Sequence, residues 1–149
     1  MSSLNLQGKV LALDYGSVRI GVAMSDETQT VAFGKKVLSN QPSILNQLLL
    51  MIQTENIREI VLGYPLNMKG EKTNQTLEVE KFEQQLKEFL SVNGFEIAVK
   101  RWDERLTSKM AETSLITSGM KKKKRQDKSN LDTLSAVFIL QSYLDSKIK

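Results

Sequence analysis

The chain has 149 residues, 40% hydrophobic and 26% charged, with a formal net charge of +4 and neither cysteine nor histidine. That length suits one compact domain over residues 1–149 with a real core, and the composition speaks against disorder. The missing side chains exclude disulfides, thiolate chemistry, imidazole bases and most zinc sites, so any catalysis must rest on carboxylates, Lys, Arg, Tyr or hydroxyls.

Met1 to Gln7 lacks a basic start followed by a long apolar run. The longest apolar stretches, such as Val137 to Leu140, fall far short of a membrane span. A cytoplasmic protein with no membrane partner is expected. Lys9 to Leu13 is a short apolar run, and Ile20 to Met24 follows Asp14-Tyr15-Gly16-Ser17 at hairpin spacing. Thr30 to Leu38 completes an expected three-stranded antiparallel meander. Pro42 suits the first turn of a helix in which Ile44, Leu45, Leu48, Leu49 and Ile52 recur at helical spacing.

Ile57 to Leu62 reads as a fourth strand, ended by Gly63-Tyr64-Pro65. A polar loop through Gly70 leads to a helix from about Thr73 to Val92, with Leu77, Phe82, Leu86, Phe89 and Leu90 as its expected buried stripe. Asn93-Gly94 ends it, and Phe95 to Arg101 reads as a fifth strand. Two more helices are expected, Thr107 to Ser118 and Ser129 to Ser146, with a basic run between them. The order βββαβαβαα implies an α/β fold built on a five-stranded mixed sheet with helices on its faces. Ligands of such sheets gather where strand ends and helix starts converge.

Three acidic positions fall at such places. Asp14 directly follows an apolar strand, where an acid is disfavoured unless it meets solvent, a donor or a cation; Gly16 and Gly21 flank the turn. An ordinary turn aspartate is the alternative. Asp103-Glu104 closes the fifth strand, and strand alternation would let only one of the two reach a shared site. A helix cap or an ion pair with Arg105 would explain them equally well. Asp132 lies near the start of the last helix, where it could simply stabilise the helix dipole. Ser135 and Ala136, three and four residues on, are small and would let that helix approach the sheet closely. Leu131, Leu134, Val137, Phe138 and Leu144 are its expected packing residues.

Acids at a strand end, another strand end and a helix start could form one oxygen-rich site, the environment that hard cations such as Mg²⁺ or Mn²⁺ prefer. Two such ions roughly 3.5–4 Å apart would orient a water and neutralise a phosphate without histidine. Lys121, Lys122, Lys123, Lys124, Arg125 and Lys128 place six basic residues within eight positions. That local field suits a nucleic-acid backbone, although a solvated loop would look the same.

The chain resembles the YqgF/RuvX family over nearly its whole length. The resemblance is carried by Leu13-Asp14-Tyr15-Gly16-Ser17-Val18-Arg19-Ile20-Gly21-Val22-Ala23-Met24-Ser25-Asp26 and by Val61-Leu62-Gly63-Tyr64-Pro65-Leu66-Asn67-Met68-Lys69-Gly70. Asp103-Glu104-Arg105-Leu106-Thr107-Ser108 and Leu131-Asp132-Thr133-Leu134-Ser135-Ala136 complete it. The family comprises bacterial proteins described as pre-16S rRNA nucleases and as Holliday junction resolvase-like. The resemblance implies a ribonuclease H-like fold and a divalent-metal nuclease that matures the 5′ end of 16S ribosomal RNA. Asp14, Glu104 and Asp132 would be catalytic and metal-binding, with Arg19 and the Gly63 to Gly70 loop near the substrate. Asp103 remains the alternative ligand should the strand register shift by one. Ser135 stands where the family often has alanine, which alters local polarity but not close packing.

Structured RNA and branched DNA are both open as nucleic-acid partners, and a branched substrate cut symmetrically would call for a homodimer. Two other readings compete. The Asp14-x-Gly16 hairpin also resembles the phosphate loop of actin-like ATPases, but those need a second lobe. A non-catalytic ribosome-assembly factor is the other, against which the acids argue, since a pure binder would gain from basic residues near phosphates.

Overall fold

A computed structural model describes residues 8–106 and 128–147, and of residues 128–132 the backbone alone. Strands β1 (Lys9–Asp14), β2 (Arg19–Ser25) and β3 (Ala32–Ser39) form the expected antiparallel meander. Helix α1 (Ile44–Glu55) leads to β4 (Ile57–Tyr64), and α2 (Asn74–Val92) to β5 (Ala98–Asp103). A 3₁₀ turn (Glu104–Leu106) follows, and α3 (Lys128–Ser146) closes the chain. The helix expected over Thr107 to Ser118 and the basic positions Lys121 to Arg125 lie outside the described residues.

The strands form one mixed sheet in the order β3-β2-β1-β4-β5, with β1, β4 and β5 parallel. Both faces of its centre are covered, so β1 is apolar throughout rather than alternating: Val10, Leu11, Ala12 and Leu13 are all fully buried. Leu11, Leu13, Ile60 and Leu62 pack under α1 and α2, whereas Val10, Ala12, Ala23 and Val61 meet Ala136, Ile139 and Leu140 of α3. The α3 side is lined by small residues, and Ala136 sits fully buried against them. Ser135 faces out and is exposed, so of the expected small pair only Ala136 makes the close contact. Packing of α3 falls on Ala136, Ile139, Leu140, Tyr143 and Leu144; Leu134, Val137 and Phe138 are only half-buried.

Several boundaries differ from the expected ones. Pro42 precedes α1, which starts at Ile44 after Ser43. Strand β4 runs through Gly63 and Tyr64 because both pair with β5, opposite Trp102 and Asp103; Pro65, which has no N–H to donate, ends it. In α2 the buried stripe is Thr76, Val79, Phe82, Glu83, Leu86 and Leu90, while Leu77 is 55% exposed and Phe89 half-buried. The helix is capped by Thr73, whose hydroxyl accepts from the Thr76 N–H while its own N–H donates to the Thr76 hydroxyl. Pairing of β5 begins at Ala98, and Phe95 and Ile97 pack on the core from the segment before it. Among the described residues no helix is long and apolar enough to cross a membrane.

Candidate active site

The parallel strands β1, β4 and β5 all end at the same edge of the sheet, at Asp14, Tyr64 and Asp103. Leu13 pairs with Leu62, so the next residues, Asp14 and Gly63, are neighbours across two strands. Alternation puts Asp14 on the α3 face with Val10 and Ala12, where it is half-buried. The turn after it is tight. A Cβ on Gly16 would lie 2.5 Å from the Arg19 carbonyl oxygen, a clash with backbone that only glycine avoids.

Glu104 reaches the same place from the other side. The strand stops at Asp103, and the 3₁₀ turn that starts at Glu104 breaks the alternation on which the two acids were to be told apart. The Glu104 carboxyl folds over Gly63: a Cβ there would lie 3.1 Å from its Oε2 and 2.8 Å from Ile139 Cδ1. Burial, followed by the negative charges of Asp14 and Asp103, pushes the Glu104 carboxyl up from 4.5 to about 7. Asp14 therefore stands within electrostatic reach of Glu104.

Asp103 is differently engaged. Arg105 donates to it from Nε at 3.1 and 3.0 Å, from Nη2 at 2.7 Å and from its backbone N–H at 2.9 Å. The Arg105 hydrogen bond outweighs burial and holds the Asp103 carboxyl below its usual range. The same guanidinium packs against the loop after β4, with Nη1 3.0 Å from where a Gly70 Cβ would be. That loop is closed by a bridge between Leu66 and Lys72, and the Asn67 side chain accepts from the N–H groups of Lys69 and Glu71. Thr76, at the start of α2, donates to the Pro65 carbonyl and fastens its base.

Tyr143 of α3 donates to Glu59 at the start of β4, and Ile139, one turn earlier, lies against Gly63 near its end. Between these two contacts helix α3 runs antiparallel to β4, and Thr133, the residue after Asp132, lies against Gly34 of β3. The side chains of Asp132 and Lys128 lie outside the described residues. Among the described residues no group of three or more acids could hold a metal ion; the described part of the site is the pair Asp14 and Glu104. Arg19 opens β2 at the same edge, and alternation places it on the α3 face with Gly21 and Ala23.

Gly63 and Arg105 are the residues that sequence reasoning undervalued. In the sequence Gly63 marks a strand stop and Arg105 an ion-pair alternative. A glycine inside an apolar strand run is itself a signal of close approach by another group. Nothing comparable marks Arg105, whose contact with the loop depends on the 3₁₀ turn.

A family model described as RuvX, Holliday junction resolvase, matches residues 8–146. A protein of Flavobacterium psychrophilum named "Putative pre-16S rRNA nuclease" is 40% identical over 141 residues, covering 94% of this chain and 98% of its own. One of the same name from Desulfitobacterium hafniense is 40% identical over 137 residues, 92% of each chain. Among solved structures, Thermus thermophilus RuvC in complex with a Holliday junction substrate superposes with a TM-score of 0.61 at 12% identity, covering 95% of this chain and 97% of that one. The Fowlpox virus resolvase gives 0.56 at 15% identity, covering 95% and 99%. At such low identity these likenesses bear on the fold, which is ribonuclease H-like.

Proposed function

The chain belongs to the RuvX family, and from that premise we propose that it is a divalent-metal-dependent nuclease that hydrolyses phosphodiester bonds at the Asp14–Glu104 edge. The observation that carries the reading is the approach of an acid at the end of β1 and one in the turn after β5 across a glycine, with Glu104 raised by burial and by the Asp14 charge. Such pairs are a known mark of functional sites.

The donor set fits a hard cation: carboxylate oxygens whose mutual repulsion a divalent ion relieves, in a chain with neither cysteine nor histidine. Asp14 and Glu104 would hold Mg²⁺ or Mn²⁺, with Asp132 joining them from the N-terminal part of α3. When bound, the ion supplies water activation and charge neutralisation at the phosphate. The protein's own groups do the rest. Gly63 keeps the space over the sheet edge clear for the Glu104 carboxyl. The Asp103–Arg105 fork fixes the turn that carries Glu104 and braces the Leu66–Lys72 loop beside it. Arg19, Lys121, Lys122, Lys123, Lys124, Arg125 and Lys128 would contact substrate phosphates.

The full-length relatives bear the name of a pre-16S rRNA nuclease, and we take maturation of the 5′ end of that RNA as the reaction. Branched DNA is the second reading, favoured by the description of the family model. Incubation of the protein with precursor 16S rRNA fragments and with four-way DNA junctions, each with Mg²⁺ or Mn²⁺, tests both. Metal-dependent cleavage of the RNA near its mature 5′ end, lost in Asp14→Asn, is expected. Cleavage of the junction alone would transfer the assignment to DNA, and equal products from wild type and Asp14→Asn would remove the catalytic reading.

A further inference from the structure

On the opposite face of the same sheet edge lies a cavity of about 300 Å³, walled by Tyr15, Phe82, Leu45 and Ile44 and edged by the amide side chains of Gln41 and Gln85. That volume is at the lower end of small-ligand clefts, ~300–1,000 Å³. The residue that opens it, Tyr15, immediately follows Asp14. Its ring rests on Phe82 at a centroid distance of 4.9 Å and remains half-exposed toward the cavity. A second wall residue, Asn40, donates from Nδ2 to the Gly16 carbonyl at 2.7 Å and from its backbone N–H to the Val18 carbonyl at 2.9 Å. Two walls are therefore tied to the turn that carries Asp14.

The lining is chemically selective. No charged residue contributes to it, so the cavity does not suit a phosphate. An aromatic face beside two amides, each able to donate and to accept, suits a flat, uncharged group with hydrogen-bonding edges. We propose that this cavity receives one unpaired nucleobase of the strand whose backbone is cut at Asp14 and Glu104, stacked on Tyr15 and read at its edge by Gln41 and Gln85. The inference rests on the nuclease reading. It adds to it a base-binding subsite at a fixed distance from the scissile phosphate, reached by a strand passing over the β1–β2 turn.

The test uses full-length Asp14→Asn protein and fluorescently labelled single-stranded RNA and DNA of one sequence, with one abasic position moved along each strand. Fluorescence anisotropy reads the affinity. One register is expected at which losing the base weakens binding about tenfold, the scale of a single base–aromatic stack. Gln85→Trp, at an exposed helical position, fills the cavity; it should weaken the intact strand by the same factor and leave no further loss at that register. Gln41→Ala should show a smaller loss confined to the same register. Affinity within twofold at every abasic position, or losses that simply add in Gln85→Trp, overturns the subsite while leaving the nuclease reading standing. Failure of every strand to bind also overturns the subsite, while the nuclease reading falls only if the precursor RNA and the four-way junction both go uncut.

Discussion

The Glu104 carboxyl lies over the backbone of Gly63, so close that one added methyl there would stand 3.1 Å from Oε2 and, on its other side, 2.8 Å from Ile139 of α3. Gly63→Ala should push the carboxyl from the sheet edge and α3 outward together. Overpacking of this kind costs about 1–3 kcal/mol. The expected result is a lowered denaturation midpoint with metal-dependent cleavage reduced by more than the unfolded fraction explains. A variant with wild-type activity and stability would show that the contact relaxes without consequence.

Burial and the Asp14 charge make Glu104 hold its proton to about pH 7, against 4.5 for an ordinary glutamate. In that interval the folded chain binds more protons than the unfolded one, so metal-free stability falls as pH rises from about 4.5 to about 7 and is level above. Glu104→Gln removes that penalty. It should stabilise the metal-free protein at pH 8 by 1 to about 3 kcal/mol and change little at pH 4. Loading a divalent ion must expel the proton, so wild-type affinity should rise by up to about tenfold per pH unit below 7. Urea titrations and isothermal calorimetry at pH 5.5, 6.5 and 7.5 read both slopes; a pH-independent affinity would exclude Glu104 as a ligand.

Arg105 joins Asp103 to the Leu66–Lys72 loop, yet its own side chain is 37% exposed. Exposed ion pairs contribute only about 0–1 kcal/mol. Arg105→Ala should therefore leave the thermal midpoint within a few degrees while lowering kcat several-fold, because the turn that aims Glu104 loses its brace. Arg105→Lys, which cannot reproduce the fork, should restore little. If KM alone changed, Arg105 would be a substrate contact rather than a positioning residue.

The strands, the two sheet faces and the placing of Asp14 and Asp103-Glu104 at one edge were legible because burial on both sides leaves β1 apolar from Val10 to Leu13 and because β2 and β3 follow it at hairpin spacing. Choosing between Asp103 and Glu104 was not, since period-two alternation ends where the 3₁₀ turn begins. The α2 stripe was misjudged at Leu77 for a related reason. Burial follows the register of Thr76, Val79, Phe82, Leu86 and Leu90, and a polar Thr76 fastened to Pro65 holds the place that an apolar residue was expected to take. Gly63 beside Pro65 looked like a strand end until its pairing with Trp102 was visible.

Lys121 to Arg125 lie outside the described residues, so their role is argued from charge density: five consecutive basic residues create a field that phosphates enter by releasing counterions. Replacing Lys121, Lys122 and Lys123 by Gln should weaken binding about equally for every sequence and reduce the slope of log affinity against log salt by roughly 2–3, at ~0.7–0.9 per lost phosphate contact. The Tyr15 cavity predicts the contrary signature, because a stacked, uncharged base releases no counterion. Gln85→Trp should shift affinity by the same factor at low and high salt and leave the slope untouched. Parallel salt titrations of the two variants thus separate backbone attraction from base capture. An unchanged slope in the lysine variant would return that run to an ordinary solvated loop.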